Sequence, residues 1–178
     1  ELFRHIEIEI FVKRSHLVAA LEFARELLQY LGGNRTAFDS ATRAQLASLG
    51  LMKQIDEHCG DYTHHYPICV RRVLPDDTLI SMTSDREESS YALSFISYVR
   101  PSRRQGFFAF ASILCQAMAA MFEGRPHWGK VCPLSPTDAD QLYPQLPQFR
   151  EVCQTNDPGK FFRNDWVERT LFSDSSNR

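Results

Sequence analysis

Residues 6–12 read Ile6-Glu7-Ile8-Glu9-Ile10-Phe11-Val12. Apolar and acidic side chains alternate here with a period of two, which is typical of a β-strand with one face in a core and the other in water. The stretch therefore predicts an amphipathic strand near the N-terminus, with its isoleucines facing the core and its acids facing solvent.

Two helices are predicted after this strand. The first follows Ser15, a candidate N-cap, carries apolar residues at three- and four-residue steps from Leu17 to Leu31, and ends at Gly32-Gly33. The second covers 40–58 and has Asp39 or Ser40 available as its N-cap.

Three more strands and a long helix follow. The strands are predicted at 68–73, 79–83 and 91–99, with the first two joined as a hairpin through Pro75-Asp76-Asp77. Ser102 and Gln105 form a capping-box pattern that opens an apolar helix, and Gly124 closes it. Two short helices, near 135–142 and 147–155, and a turn at 157–159 complete the pattern.

This order of elements predicts the α+β class. We expect an antiparallel sheet with helices packed on one face, built from ferredoxin-like elements, rather than a parallel doubly wound sheet. No dinucleotide-binding, phosphate-binding or hydrolase motif accompanies these elements.

The composition indicates a folded domain. The 178 residues are 43% hydrophobic, and a net charge of −2 disfavours nucleic acid as a partner. No apolar run approaches the roughly 20 residues of a membrane span. The five cysteines include no CxxC pair, which favours a reducing compartment and a cytoplasmic or peripherally membrane-associated location. The absence of an initiator Met is consistent with a start inside a longer protein.

One group of potential metal ligands occurs in the chain: His58, Cys59, His64 and His65. Structural zinc sites usually draw paired ligands from two separate segments, so polar residues around a helix end and a loop are the favoured interpretation. A metal-binding regulator remains an alternative, although we expect no metal.

The segment Gly124-Arg125-Pro126-His127-Trp128-Gly129-Lys130 places a titratable ring, an aromatic side chain and a cation between two glycines. Together with other segments it resembles the C-terminal part of the sugar-lactone and alditol oxidases, the aldonolactone oxidase branch of the vanillyl-alcohol-oxidase-type flavoproteins. The other segments occur in that family's order: His65-Tyr66-Pro67-Ile68-Cys69-Val70-Arg71, Asp76-Asp77 with Leu79, Tyr98 before Arg100-Pro101, Leu142-Tyr143-Pro144, Phe149, Asn156-Asp157-Pro158-Gly159-Lys160-Phe161, Asn164 and Leu171-Phe172.

The resemblance implies the C-terminal domain of a two-domain FAD-linked oxidase. Residues 1–172 would form its substrate or cap domain, with a helical insertion at about 36–60 and a frayed tail at 173–178. The insertion would be a lid, an oligomer contact or a surface addition without a role. The FAD-binding domain is absent from this chain, so the chain alone should be inactive and free of FAD.

The resemblance also implies roles for individual residues. Lys130 would lie near the N1 and C2 carbonyl edge of the flavin as a catalytic and cofactor-binding cation. His127 would hydrogen-bond near the flavin or simply fix the turn. Arg71 matches the arginine of a Glu-x-Arg pair that contacts substrate, but Cys69 stands at the position of the glutamate. Ser94 and Ser97 are the small polar residues that could face substrate on the strand 91–98.

The function implied is oxidation of a sugar lactone, a polyol or a related alcohol at a CH–OH group by hydride transfer to flavin. The partners would be a small-molecule substrate and the FAD domain of the same polypeptide. A non-catalytic binding module with the same fold is the alternative, because Cys69 replaces an acid.

Overall fold

The computed structural model describes residues 4–172, apart from the side chains of residues 101–103. Its sheet has four strands in the order β2-β3-β1-β4, and each neighbouring pair is antiparallel. The strands are β1 (His5–Lys13), β2 (Cys69–Val73), β3 (Ser90–Tyr98) and β4 (Arg125–Pro126). The predicted α+β class with an antiparallel sheet is confirmed, and the N-terminal strand lies inside the sheet.

The register gives the sheet two different faces. Ile8 lies opposite Phe95 and Ile10 opposite Leu93, and all four belong to the buried core. On the other face Glu9 lies opposite Ser94, which in turn lies opposite Cys69. We call this second side, which carries Glu7, Glu9, Ser94, Cys69 and Arg71, the open face.

Two helices, α1 (Leu17–Leu31) and α4 (Pro101–Phe122), pack against the apolar face. Phe110 of α4, for example, meets Phe95 edge-on with ring centroids 5.5 Å apart. The predicted caps of both helices are wrong. The Ser15 hydroxyl donates to Glu88 instead of capping α1, and α4 begins at Pro101, which places Ser102 inside the helix with its side chain outside the described residues.

Helix α4 corrects the prediction that no apolar segment is long enough to span a membrane. Residues Arg104–Phe122 are long and apolar enough, by length and composition, to cross a membrane. Half of this stretch is buried within the domain, where it contributes Phe107, Phe110 and Leu114 to the core. Burial of this kind is typical of the central helix of a globular domain.

The segment predicted as one helix over 40–58 forms two, α2 (Ser40–Ser48) and α3 (Met52–Glu57). They separate at Gly50, whose φ of 72° is a left-handed conformation that interrupts a helix. Asp39 caps α2 as predicted, by accepting from the Thr42 N–H. Phe38 stacks on Tyr30 of α1 with ring centroids 5.0 Å apart. Leu46 of α2 and Ile55 of α3 belong to the same core cluster as α1 and α4.

The C-terminal part of the chain packs beside β4. Its helices are α5 (Pro136–Leu142), α6 (Leu146–Asn156) and α7 (Asp165–Val167), followed by a π-helical turn at Glu168–Phe172. The first two match the predicted helices. The tail at 173–178 lies outside the described residues.

The predicted hairpin is wrong, because 79–83 is not a strand and β2 pairs with β3. The loop 74–89 instead hydrogen-bonds to β4 and to the turn that follows it. The Trp128 ring N–H donates to the Ile80 carbonyl (2.7 Å), and Arg125 Nη1 donates to the Ser84 carbonyl (2.6 Å).

Asp76 organises this loop. Its carboxylate accepts hydrogen bonds from the hydroxyls of Thr78, Ser81 and Thr83 and from the Thr78 N–H. Burial raises the pKa of Asp76, but these hydrogen bonds outweigh burial and bring the pKa to about 2.

Asp76→Asn should destabilise the chain at neutral pH by about 1 kcal/mol, because charge-assisted hydrogen bonds are lost from a carboxylate that solvent partly screens. The folded-state pKa of Asp76 is depressed, so this stability is present above the unfolded-state pKa and disappears as the pH falls from about 4 towards 2. Urea unfolding as a function of pH measures the difference. Asp77→Asn, at the exposed neighbouring position, is the matched control, and a pH-independent difference would contradict the assignment.

A second substitution tests how α4 packs. A Cβ at Gly106 would overlap the carbonyl oxygen of Asp61 in the loop after α3. Gly106→Ala should therefore destabilise the chain by about 1–2 kcal/mol, although Ala favours a helix over Gly by about 1 kcal/mol. Gln105→Ala, in the same turn and exposed, should be nearly neutral in the same denaturation experiment. A more stable Gly106→Ala protein would show that this contact is not tight.

Candidate functional site

Residues 127–130 form a turn, and hydrogen bonds at its two ends join it to the backbone of β1. The His127 N–H donates to the Glu9 carbonyl (2.8 Å) and the Val131 N–H donates to the Glu7 carbonyl (2.9 Å). Between them the Lys130 N–H donates back to the His127 carbonyl (3.2 Å). The turn thus continues the β4 side of the sheet and directs Lys130 back over β1.

Two aromatic side chains hold this turn. The His127 ring lies against Gly129, and its Nδ1 accepts the Gly129 N–H at 2.9 Å. This bond makes Nδ1 an acceptor and places the proton of the neutral ring on Nε2. Trp128 points the other way and packs on Tyr143 with ring centroids 4.8 Å apart. The His127 ring therefore bonds the backbone of its own turn.

Lys130 binds a buried acid on β1. Its ammonium donates to Glu7 Oε2 at 2.5 Å, and the Ser94 hydroxyl donates to the other oxygen, Oε1. Ser94 is buried, and its hydroxyl donates to Glu7.

Arg71 binds the second acid of the same strand. Its Nη2 donates to Glu9 Oε1. Glu9 lies two strands away from β2, and between them β3 contributes only Ala92 and Ser94 at the corresponding rows of the open face. These small side chains allow the guanidinium to extend across β3 and reach β1.

The four charged groups form two layers. The side chains of Glu7 and Glu9 are 8% and 3% exposed, whereas those of Lys130 and Arg71 are 33% and 63% exposed. Burial raises the pKa of Glu7, but the hydrogen bonds from Lys130 and Ser94 outweigh it, so the pKa is lowered and the group stays anionic at neutral pH. The acids therefore form the buried layer of the open face, and the cations form its more exposed layer.

Cys69 is exposed on the open face at the β2 edge, in the row of Ser94 and Glu9. Ser97 lies on the opposite face, because residues three apart on a strand point to opposite sides. It is buried there and hydrogen-bonds Tyr62, whose pKa burial raises to about 12. Of the two serines considered, only Ser94 belongs to the open face.

Two of the four candidate metal ligands have hydrogen-bond partners of their own. His58 Nδ1 contacts Asp61 at 2.9 Å, and His64 Nδ1 contacts the Tyr62 hydroxyl at 2.8 Å. Among residues 4–172, no three His, Cys, Asp or Glu side chains lie close enough together to hold an ion.

Sequence reasoning missed Glu7 and Glu9 as site residues. Their alternation with isoleucine indicated a face away from the core, and acids on such a face are usually solvated. The signal that could have identified both acids is their position on an inner strand, within reach of Arg71 from one motif segment and Lys130 from another.

The five thiols should differ in reactivity towards a small alkylating agent. Cys69 is exposed, whereas Cys115 and Cys132 are buried. Burial raises the pKa of Cys132 to about 11 and raises that of Cys115 well above its usual range, so both lack reactive thiolate. Mass-spectrometric mapping of the folded chain should show Cys69 labelled before both. Earlier labelling of Cys115 would contradict the assigned register of β2 and the burial of α4.

Comparison with known proteins places these residues in a family. Residues 2–170 match the D-arabinono-1,4-lactone oxidase family. The chain is 49% identical over 174 residues to a long-chain alcohol oxidase from an uncultured marine euryarchaeote, an alignment that covers 98% of this chain and 36% of that protein. It is 31% identical over 110 residues to the L-gulonolactone oxidase of Scyliorhinus torazame, covering 61% of this chain and 24% of that enzyme.

A third relative is an alditol oxidase from a Streptomyces species, 31% identical over 102 residues, or 57% of this chain and 23% of that enzyme. The chain thus spans 36% of the length of the long-chain alcohol oxidase and less of the other two. The resemblance carried by the ordered motifs is confirmed. The chain belongs to the D-arabinono-1,4-lactone oxidase family.

Proposed function

We propose that this chain is the C-terminal, substrate-side domain of an FAD-linked oxidoreductase that oxidises a CH–OH group by hydride transfer to flavin. One observation carries the proposal. Arg71 and Lys130, which come from separate motif segments, converge on one open face of the sheet through two acids of β1.

The donor groups of the site fit a flavin edge. The Lys130 ammonium has three N–H donors, gives one to Glu7, and is one-third exposed. It can therefore meet the N1 and C2 carbonyl edge, where it stabilises negative charge. FAD, when bound, accepts the hydride. The chain lacks a glycine-rich pyrophosphate loop, so we infer that a separate domain of the same polypeptide holds most of the cofactor.

Arg71 is the proposed contact for the substrate oxygen. The guanidinium has five N–H donors in a planar fork, and its single hydrogen bond to Glu9 leaves the rest available to a hydroxyl that develops negative charge during oxidation. Glu9 keeps the fork in place above β1. His127 acts by fixing the turn that carries Lys130, and Ser94 acts through Glu7.

The β2 edge bears on the substrate class. Cys69, Arg71 and Val73 share the open face of β2, so a thiol and an isopropyl group stand on either side of Arg71 along the strand. A thiol is a weak hydrogen-bonding group and cannot bind vicinal hydroxyls as a carboxylate does. We propose that the substrate is an alcohol with an apolar chain rather than a polyol or a sugar lactone. The name of the 49% identical relative, a long-chain alcohol oxidase, supports this choice.

Lys130→Met tests the proposal in the FAD-loaded full-length enzyme. Removing the cation should slow reduction of the flavin by alcohol by about 10- to 100-fold, because stabilisation of the negative charge is lost. The affinity of the flavin for sulfite, which forms an anionic adduct, should fall with it. Stopped-flow absorbance and sulfite titration measure the two effects.

Lys160→Met is the matched control. Lys160 also donates to a glutamate, Glu168, at 2.9 Å, but that pair lies near the C-terminus and is absent from the open face. The control should retain normal reduction and normal sulfite affinity. Unchanged behaviour in Lys130→Met would remove Lys130 from the flavin site.

A further inference from the structure

Glu7 is the most completely engaged side chain of the site. Its Oε1 accepts from the Ser94 hydroxyl and its Oε2 accepts from the Lys130 ammonium. It is almost fully buried and projects from an inner strand that is paired on both sides. The carboxylate therefore cannot turn away from Lys130.

We propose that Glu7 is a positioning residue that works as a fixed counter-charge. It holds the Lys130 ammonium at the opening of the site and reduces the net positive charge that Lys130 presents to the flavin, which limits the electron affinity of the cofactor. This inference rests on the proposed function, because it takes Lys130 to lie beside the flavin.

A comparison of the two acids supports this role. Glu9 receives one side-chain hydrogen bond, from Arg71, and among the described residues no other side chain donates to it. Both oxygens of Glu7 are occupied, and the hydrogen bonds from Lys130 and Ser94 keep it ionised. A donor on each oxygen favours the ionised form of Glu7 over the protonated one. Glu7 can therefore act through its negative charge and through its hydrogen bond to Lys130.

The positions of Glu7 and Lys130 decide whether Glu7 raises or lowers the electron affinity of the flavin. The carboxylate lies beneath the ammonium, and the more exposed ammonium lies between Glu7 and the opening. An anion behind a cation weakens the cation's field at any point in front of it, since the two contributions have opposite signs. Neutralising Glu7 without moving Lys130 should therefore make the flavin a stronger oxidant.

Glu7→Gln is the substitution that separates charge from shape. The amide retains the size of the side chain and a carbonyl oxygen that can still accept from Lys130. In the FAD-loaded full-length enzyme, sulfite should bind about fivefold more tightly or better, because one negative charge near the site is lost. The midpoint potential of the flavin should rise. Titration with sulfite and with a redox dye measures both quantities without turnover.

Two further variants control this experiment. Glu168→Gln removes the acid of the exposed Lys160–Glu168 pair and should change neither quantity. Ser94→Ala removes a hydrogen bond to Glu7 but leaves the charges intact, so sulfite affinity should change by less than about twofold. If Glu7→Gln does not load FAD, Glu7→Asp withdraws the carboxylate by one methylene and should give a smaller change in the same direction.

The outcomes distinguish the inference from the function on which it rests. Unchanged or weaker sulfite binding in Glu7→Gln, with sulfite binding lost in Lys130→Met, would overturn the counter-charge role and leave the flavin site standing. Normal sulfite binding in Lys130→Met would instead refute the placement of Lys130, and the inference with it.

Discussion

Two buried carboxylates on one inner strand constrain the whole open face. An acid that loses its hydration must be neutralised or paired, and an unpaired buried charge is strongly unfavourable. Glu7 and Glu9 are paired by Lys130 and Arg71, which reach β1 from opposite sides. The acids of a single strand thus bring together a cation from β2 and a cation from the turn after β4. Without these two acids, Arg71 and Lys130 would belong to segments of the same sheet but would have no partners on a common strand.

The rest of the fold keeps these charges in place. The apolar side of β1 is packed beneath α1 and α4, so the strand that carries both acids is part of the rigid core. The turn at 127–130 is fixed to that strand by two backbone hydrogen bonds and to the C-terminal helices by Trp128. Sites built on regular elements hold their side chains more closely than sites built on loops. This support explains why a flexible lysine can occupy one defined position.

The sequence predicted the long periodic elements and failed where distant residues decide the outcome. Strand β1 and helices α1 and α4 follow from periodicities of two and 3.6, which each segment carries by itself. The apolar run at 79–83 does not form a strand, because Asp76 binds three hydroxyls of the loop and the Ile80 carbonyl pairs with Trp128. The helix over 40–58 breaks at Gly50, where a left-handed backbone was not anticipated.

The candidate site was likewise predictable where short motifs carry it and unpredictable where distant residues decide it. Arg71, Lys130 and Cys69 came from a resemblance of motifs, and the structure places all three on or beside the open face. The period of β1 separated its two faces correctly but could not show that the acidic face is buried. That burial depends on cations located 62 and 123 positions further along the chain. Local patterns contain no information about such pairs.

The thiol at position 69 bears on the choice of Glu9 as the acid that Arg71 binds. With an acid two residues before Arg71 on β2, the guanidinium would have a partner on its own strand, near the sheet edge. With a thiol there, the available partner is Glu9, and Arg71 must extend over β3 to reach it. This path is open because Ala92, the residue opposite Arg71, has a side chain of one carbon. The guanidinium is thereby drawn from the edge towards the middle of the open face, on the side where Lys130 lies, and the outer part of β2 is left to Cys69 and Val73. A thiol at position 69 is thus compatible with charged groups that lie inward on the open face, and Cys69 and Val73 form the border of that face on β2.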